Sequence, residues 1–71
     1  MKAESITITA NGEPREIGLP CTVGEFLGRL GWKASQVVVE HNGQVLLKEA
    51  VRTTPLRDGD QIEVIVPVAG G

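Results

Sequence analysis

Ile62-Glu63-Val64-Ile65-Val66-Pro67-Val68-Ala69-Gly70-Gly71 closes the sequence. Ile62 to Val66 is a β-branched run, the composition of a strand buried on at least one face. Pro67 has no backbone donor, so sheet pairing should end at or near it. Residues 67–71 could extend roughly 17 Å beyond the strand. Gly70 and Gly71 carry no Cβ, so such a tip can enter a channel too narrow for other residues. A terminal carboxylate on Gly71 is ionised at neutral pH and is a poor electrophile. It reacts only if a partner activates it, for example as an acyl-adenylate. That partner must bring nucleotide and metal, because the chain has no phosphate loop. A frayed terminus, or a chain cut by design, could also end in this way.

Seventy-one residues suit one small domain in which most apolar side chains must share the core. The lone Cys21 excludes an internal disulfide framework and any multi-cysteine zinc or iron–sulfur site. That usage suits a reducing compartment. Residues 1–20 alternate polar and apolar with no hydrophobic segment, so neither a signal peptide nor a membrane span is expected, and a cytoplasmic location is. Net charge is −2, with both signs spread along the chain. Phe26 and Trp32 are the only aromatics, which leaves no basic patch or stacking platform for nucleic acid.

Upstream, Ser5 to Ala10 places Ile6, Ile8 and Ala10 on one face and Thr7 and Thr9 on the other, a half-buried strand. Asn11-Gly12 is the two-residue hairpin signal, because both central positions of a type I′ turn need positive φ. The return strand runs from Glu13 to about Gly18, and Pro14 places it at a sheet edge. Thr22-Val23-Gly24-Glu25 has capping-box spacing. Val23, Phe26, Leu27 and Leu30 then share one helical face. Gly24 and Gly28 weaken this helix by up to ~1 kcal/mol each, so it needs a sheet to pack on, and Gly31 is placed to end it. Gln36 to His41, with Val37, Val38 and Val39, predicts a third strand. Asn42-Gly43 turns it into Val45-Leu46-Leu47. Lys48 to Leu56 reads as a crossing loop with room for one helical turn. Asp58-Gly59-Asp60 is a tight turn into the final strand, with aspartates able to cap local amides. The order is an α+β two-layer domain.

Two strands, one helix, further strands and a Gly-Gly end resemble the ubiquitin-like β-grasp fold, a mixed four- to five-stranded sheet packed on one helix. Residues 1–66 would form the β-grasp domain and 67–71 a flexible C-terminal Gly-Gly tail. Three stretches carry the likeness further: Val37-Val38-Val39-Glu40-His41-Asn42-Gly43, Leu56-Arg57-Asp58-Gly59-Asp60-Gln61-Ile62-Glu63-Val64, and Gly70-Gly71. Together they resemble the small bacterial sulfur carriers of the ThiS type, over essentially the whole chain. The approach Val66-Pro67-Val68-Ala69 is also similar to the tails of the molybdopterin-synthase small subunit, the MoaD type.

The resemblance implies a protein co-substrate and not an enzyme. An E1-like adenylyltransferase of the ThiF type would use ATP and magnesium to form an acyl-adenylate at Gly71. A persulfide from a cysteine desulfurase would then replace AMP and leave a thiocarboxylate. In the thiamine branch thiazole synthase receives that sulfur. The chain would bind no cofactor or metal itself and would meet neither nucleic acid nor membrane. Other ubiquitin-like carriers, and modifiers joined to lysines through Gly71, share the acyl chemistry.

Other side chains have plainer readings. Cys21 reads as an incidental thiol ahead of a helix cap, with no His or second Cys to activate it. His41 reads as a surface residue beside a turn, Trp32 as a lid on the core, and Asp58 and Asp60 as structural turn residues. Ile65 points opposite to Val64. One sheet face then holds apolar side chains that a single helix does not cover, fit either for docking a partner or for plain central-strand burial. With the tail residues Pro67, Val68, Ala69 and Gly70, Ile65 makes up the expected partner-binding set.

Overall fold

The computed structural model describes residues 4–68. β1 (Ser5–Ala10) and β2 (Glu13–Gly18) form an antiparallel hairpin. Its turn residues Asn11 and Gly12 have φ of 50° and 83°, as a type I′ turn requires. The chain then forms α1 (Val23–Arg29), a 3-10 turn at Ala34–Gln36, β3 (Val38–His41), β4 (Gln44–Val45), α2 (Lys48–Thr53) and β5 (Gln61–Ile65). The five strands lie in the order β2-β1-β5-β3-β4. β5 is parallel to β1 and antiparallel to β3. The last strand therefore occupies the middle of the sheet and β2, the strand with Pro14, one edge. This is the expected α+β ubiquitin-like β-grasp.

One face of the sheet carries the core. Ile6, Ile8, Ala10, Ile17, Val39, Ile62 and Val64 are buried against Val23, Phe26 and Leu27 of α1, together with Val51 and Leu56. Burying a side chain of this size stabilises by roughly 1.5–3 kcal/mol before entropy is counted. Trp32 is half-buried on the same cluster, the lid position its sequence suggests. The capping box of α1 is present, with Thr22 Oγ1 accepting from the Glu25 amide at 3.1 Å and Glu25 Oε1 accepting from the Thr22 amide at 2.8 Å. Gly31, at φ 85°, follows the Leu30 cap and ends the helix.

Three elements differ from the sequence reading here: β3, α2 and β4. The third strand begins at Val38 and not at Gln36, because Ala34–Gln36 form a 3-10 turn in which the Gln36 amide donates to the Lys33 carbonyl at 2.9 Å. The crossing segment forms a true helix, α2, in which Val51 alone is buried. One buried residue in six gives no helical periodicity, so the pattern could not announce it. Packing holds it instead. A Cβ on Gly24 would lie 3.2 Å from the Val51 carbonyl oxygen and 3.3 Å from Arg52 Cα, so the glycine that weakens α1 also lets α2 approach. The Val23 amide donates to the Thr54 carbonyl at 2.9 Å, and the Leu56 amide to the Cys21 carbonyl at 2.9 Å. β4 is also shorter than expected, because Leu47 leaves the sheet to precede α2 and stands exposed. Gly28 has no such neighbour, and nothing in the structure explains it.

Both Asn-Gly turns also act at a distance. Asn11 Oδ1 accepts from the Val64 amide at 2.8 Å and its Nδ2 donates to the Val64 carbonyl at 3.3 Å. The side chain thus continues the β1–β5 ladder after β1 has turned away. Asn11→Gly keeps the positive φ and removes only this bridge, so it should cost about 2 kcal/mol through the unpaired Val64 groups. Asn11→Ala adds the left-handed penalty and should cost about 3 kcal/mol. Urea denaturation measures both. An Asn11→Gly protein as stable as wild type would mean that the side chain does not hold β5.

Candidate functional site

The end of β5 is the place to which the sheet leads. Ile62 and Val64 point into the core, while Gln61, Glu63 and Ile65 point away from the helices. Pairing ends at Ile65, opposite Val38 of β3. Val66 is exposed, although the β-branched run predicts strand as far as this residue; with no strand partner beyond Val38, the ladder stops one residue earlier. Pro67 is exposed and Val68 is 93% exposed. The chain leaves the sheet here without touching the core. Ala69, Gly70 and Gly71 lie outside the described residues. Of the expected partner-binding set, Ile65 is 41% exposed on the uncovered face and continues directly into Pro67 and Val68.

The start of β5 is held by a buried carboxylate. Asp60 is 7% exposed, the one buried charged residue among those described. Its Oδ2 accepts from the Arg57 amide at 2.8 Å and from His41 Nε2 at 3.0 Å, and its Oδ1 from Asn42 Nδ2 at 3.1 Å. An ionised carboxylate only accepts, so His41 Nε2 carries a proton. The 3.4 Å approach of Asn42 Nδ2 to the same ring nitrogen is then a meeting of two donors and not a bond. Asn42 Oδ1 accepts from the Gln61 amide at 2.8 Å, repeating at this end of β5 what Asn11 does at Val64. Burial pushes the Asp60 carboxyl up. The hydrogen bonds from His41, Arg57 and Asn42, with the nearby His41 charge, outweigh it and hold the carboxyl below its usual value.

His41 is therefore no plain surface residue: its side chain is 20% exposed and bonded to Asp60. Sequence spacing could not reveal the pair, since only the β3–β5 register, with His41 opposite Ile62, brings the two residues together. A depression of about 280 Å3 lies beside them, lined by Thr54, Pro55 and Arg57. Asp58 is structural, as expected, but it caps a distant amide: its Oδ1 accepts from the Thr7 amide at 2.9 Å.

Cys21 is 3% exposed, and its thiol donates to the Thr22 carbonyl at 3.4 Å. Burial pushes this thiol up, Arg29 works against that, and Glu25 adds to it. A buried, protonated thiol is a poor nucleophile. Among the described residues, no group of three or more His, Cys, Asp or Glu could hold a metal ion. No described helix is long and apolar enough to cross a membrane.

A family model described as the ThiS family matches residues 4–71. The chain belongs to the ThiS family. A protein from Thermus thermophilus named sulfur carrier protein ThiS is 39% identical over 61 residues, which cover 86% of this chain and 94% of that one. The crystal structure of a thiamine biosynthesis protein (ThiS) from Geobacter metallireducens superposes with a TM-score of 0.78 at 36% identity, covering 93% of this chain and all of that one. A thiazole synthase from Paramagnetospirillum magneticum is 33% identical over 64 residues, 90% of this chain. This ThiS-family chain spans only 20% of that protein's length.

A carboxyl held below its usual value stabilises the fold wherever the unfolded chain's carboxyl is ionised. That contribution disappears as pH falls through the folded-state value. The stability gap between wild type and Asp60→Asn should therefore be widest near neutral pH, about 2 kcal/mol, and should narrow below about pH 4. Denaturant titrations across pH measure it, and a gap independent of pH would contradict this account of Asp60.

Proposed function

We propose that this chain is a sulfur carrier for thiamine biosynthesis, a protein co-substrate whose reactive group is the carboxylate of Gly71. An E1-like adenylyltransferase of the ThiF type joins that carboxylate to AMP, using ATP and magnesium. The terminal sulfur of a persulfide, delivered by a cysteine desulfurase, attacks the acyl carbon and the bond to AMP breaks. A thiol then cleaves the resulting acyl disulfide and leaves a thiocarboxylate. This soft nucleophile passes its sulfur to thiazole synthase with no release of free sulfide. Residues 67–71 serve as the tail that enters the activating site, and Ile65, Pro67, Val68, Ala69 and Gly70 meet the partners.

The observation that carries this reading is the ThiS-family match running through both terminal glycines. A relative named as a sulfur carrier agrees with it. A carrier-like segment within a protein named thiazole synthase supports that enzyme as the receiver. The fold is suited to the role: β5 is held on both sides, and among the described residues no core residue lies beyond Val64. In this reading the chain is the substrate and its partners supply the catalysis; among the described residues Cys21, the one thiol, is buried and protonated.

Two predictions follow from assigning the sulfur to Gly71. Gly70→Val should keep the wild-type unfolding midpoint yet be adenylated about 100-fold more slowly, since a β-branched side chain thickens the tail next to the reacting carbon. Ala69→Gly, which thickens nothing, should lose much less. ATP–pyrophosphate exchange with the adenylyltransferase and intact-protein mass give the rates, and equal rates for wild type and Gly70→Val would sink the carrier reading. Cys21→Ala should still acquire sulfur. A Cys21→Ala protein that is adenylated normally but gains no 16 Da thiocarboxylate mass shift (about the difference between sulfur and oxygen) would move the sulfur to the thiol.

A further inference from the structure

Sheet register sorts the charges of the molecule by face. On the side turned from the helices, strand positions hold three charged residues, Glu16, Glu40 and Glu63, and all are acidic. The described lysines and arginines lie elsewhere. Arg15, opposite the buried Ile8, is on the helix side of β2, and the others are on helices or connecting segments. Glu40 and Glu63 are direct cross-strand partners, which sets their Cβ atoms about 5 Å apart. Neither takes part in an ion pair among the described residues. Like charges placed opposite one another destabilise a sheet, so the fold gains nothing from this pair. The next open-face pair on the same strands is Val38 and Ile65, and Val45 lies opposite Glu40 on β4. These three are 39%, 41% and 61% exposed.

We propose that this patch is a seat for a guanidinium group of the activating partner, held between Glu40 and Glu63 and framed by Val38, Val45 and Ile65. The inference rests on the carrier reading for the partner's identity and adds the chemistry by which that partner recognises the chain. A guanidinium presents five donors in a planar fork and can satisfy two adjacent carboxylates at once. The aliphatic frame excludes water and so strengthens the attraction. A second copy of this chain does not fit, because two such faces would bring four carboxylates together with no described cation. Ile65 also ends β5, so a partner seated here holds the strand whose continuation it must receive.

The test compares the full chain with Glu40→Gln/Glu63→Gln, using Glu49→Gln on α2 as a control, against the adenylyltransferase. The double substitution should raise KM for the chain about tenfold and weaken calorimetric binding by the same factor, with kcat within about twofold. It should flatten the salt dependence of binding. The melting temperature should meanwhile rise by about 2 °C as the repulsion is relieved. Glu49→Gln should change none of these. Affinity unchanged by the double substitution, or a lowered melting temperature, overturns the proposal. So does wild type that fails to bind, or wild-type self-association that the double substitution strengthens. Wild type that binds through these glutamates yet is never adenylated would remove the carrier reading and leave the seat standing.

Discussion

Asp60 keeps its charge at 7% exposure because three donors from three places converge on it: the Arg57 amide one turn earlier, His41 at the end of β3 and Asn42 in the β3–β4 turn. Removing a carboxylate from water costs several kcal/mol unless hydrogen bonds replace the lost hydration. Those donors are therefore a condition for the strand to begin where it does. Asp58 and Gly59 pair with Thr7, and the Thr9 amide donates to the Asp60 carbonyl. The turn is thus docked on β1 before β5 starts. A one-residue slip would reverse the faces of every β5 side chain, moving Ile62 and Val64 out of the core and Ile65 into it. The buried carboxylate and the two asparagines oppose that slip from both ends.

That register has a functional consequence. It sends alternate β5 residues to opposite tasks, Ile62 and Val64 to the core, Glu63 and Ile65 to the open face. The strand at the middle of the sheet is also the one that runs on into the exposed Val66, Pro67 and Val68. Substitutions on the two faces should act separately, since the open-face side chains are not members of the core cluster.

Much of this could be read in the sequence. The hairpin, α1 with its cap, the edge position of β2 and the strand character of β5 all rest on local rules: alternation, Asn-Gly turns, Pro14, the Thr22–Glu25 spacing and a β-branched run. α2 was less legible, because it is held by the absence of a side chain on Gly24 and by backbone bonds to Thr54 and Leu56. Asn11 and Asn42 announce their turns through φ, but nothing local shows their side chains reaching Val64 and Gln61. The His41–Asp60 pair and the Glu40–Glu63 opposition are equally invisible along the chain. Each exists only once β3 and β5 are aligned, and Gly70 and Gly71, which carry the chemical proposal, are legible only as sequence.

The two faces of the sheet also differ in what they ask of stability. On the helix side, no buried side-chain polar atom among the described residues lacks a partner, and the one buried charge is fully surrounded. On the open side, two carboxylates face each other and three aliphatic side chains meet solvent. A domain of this size has only a few kcal/mol of net stability, and threonine at positions 40 and 63, as at Thr7 and Thr9 of β1, would suit the pleated surface better. Departures from local consistency are expected where function constrains the sequence. Here they gather on one face, on β3, β4 and β5, which is why the proposed partner seat is placed there and not on the helix side.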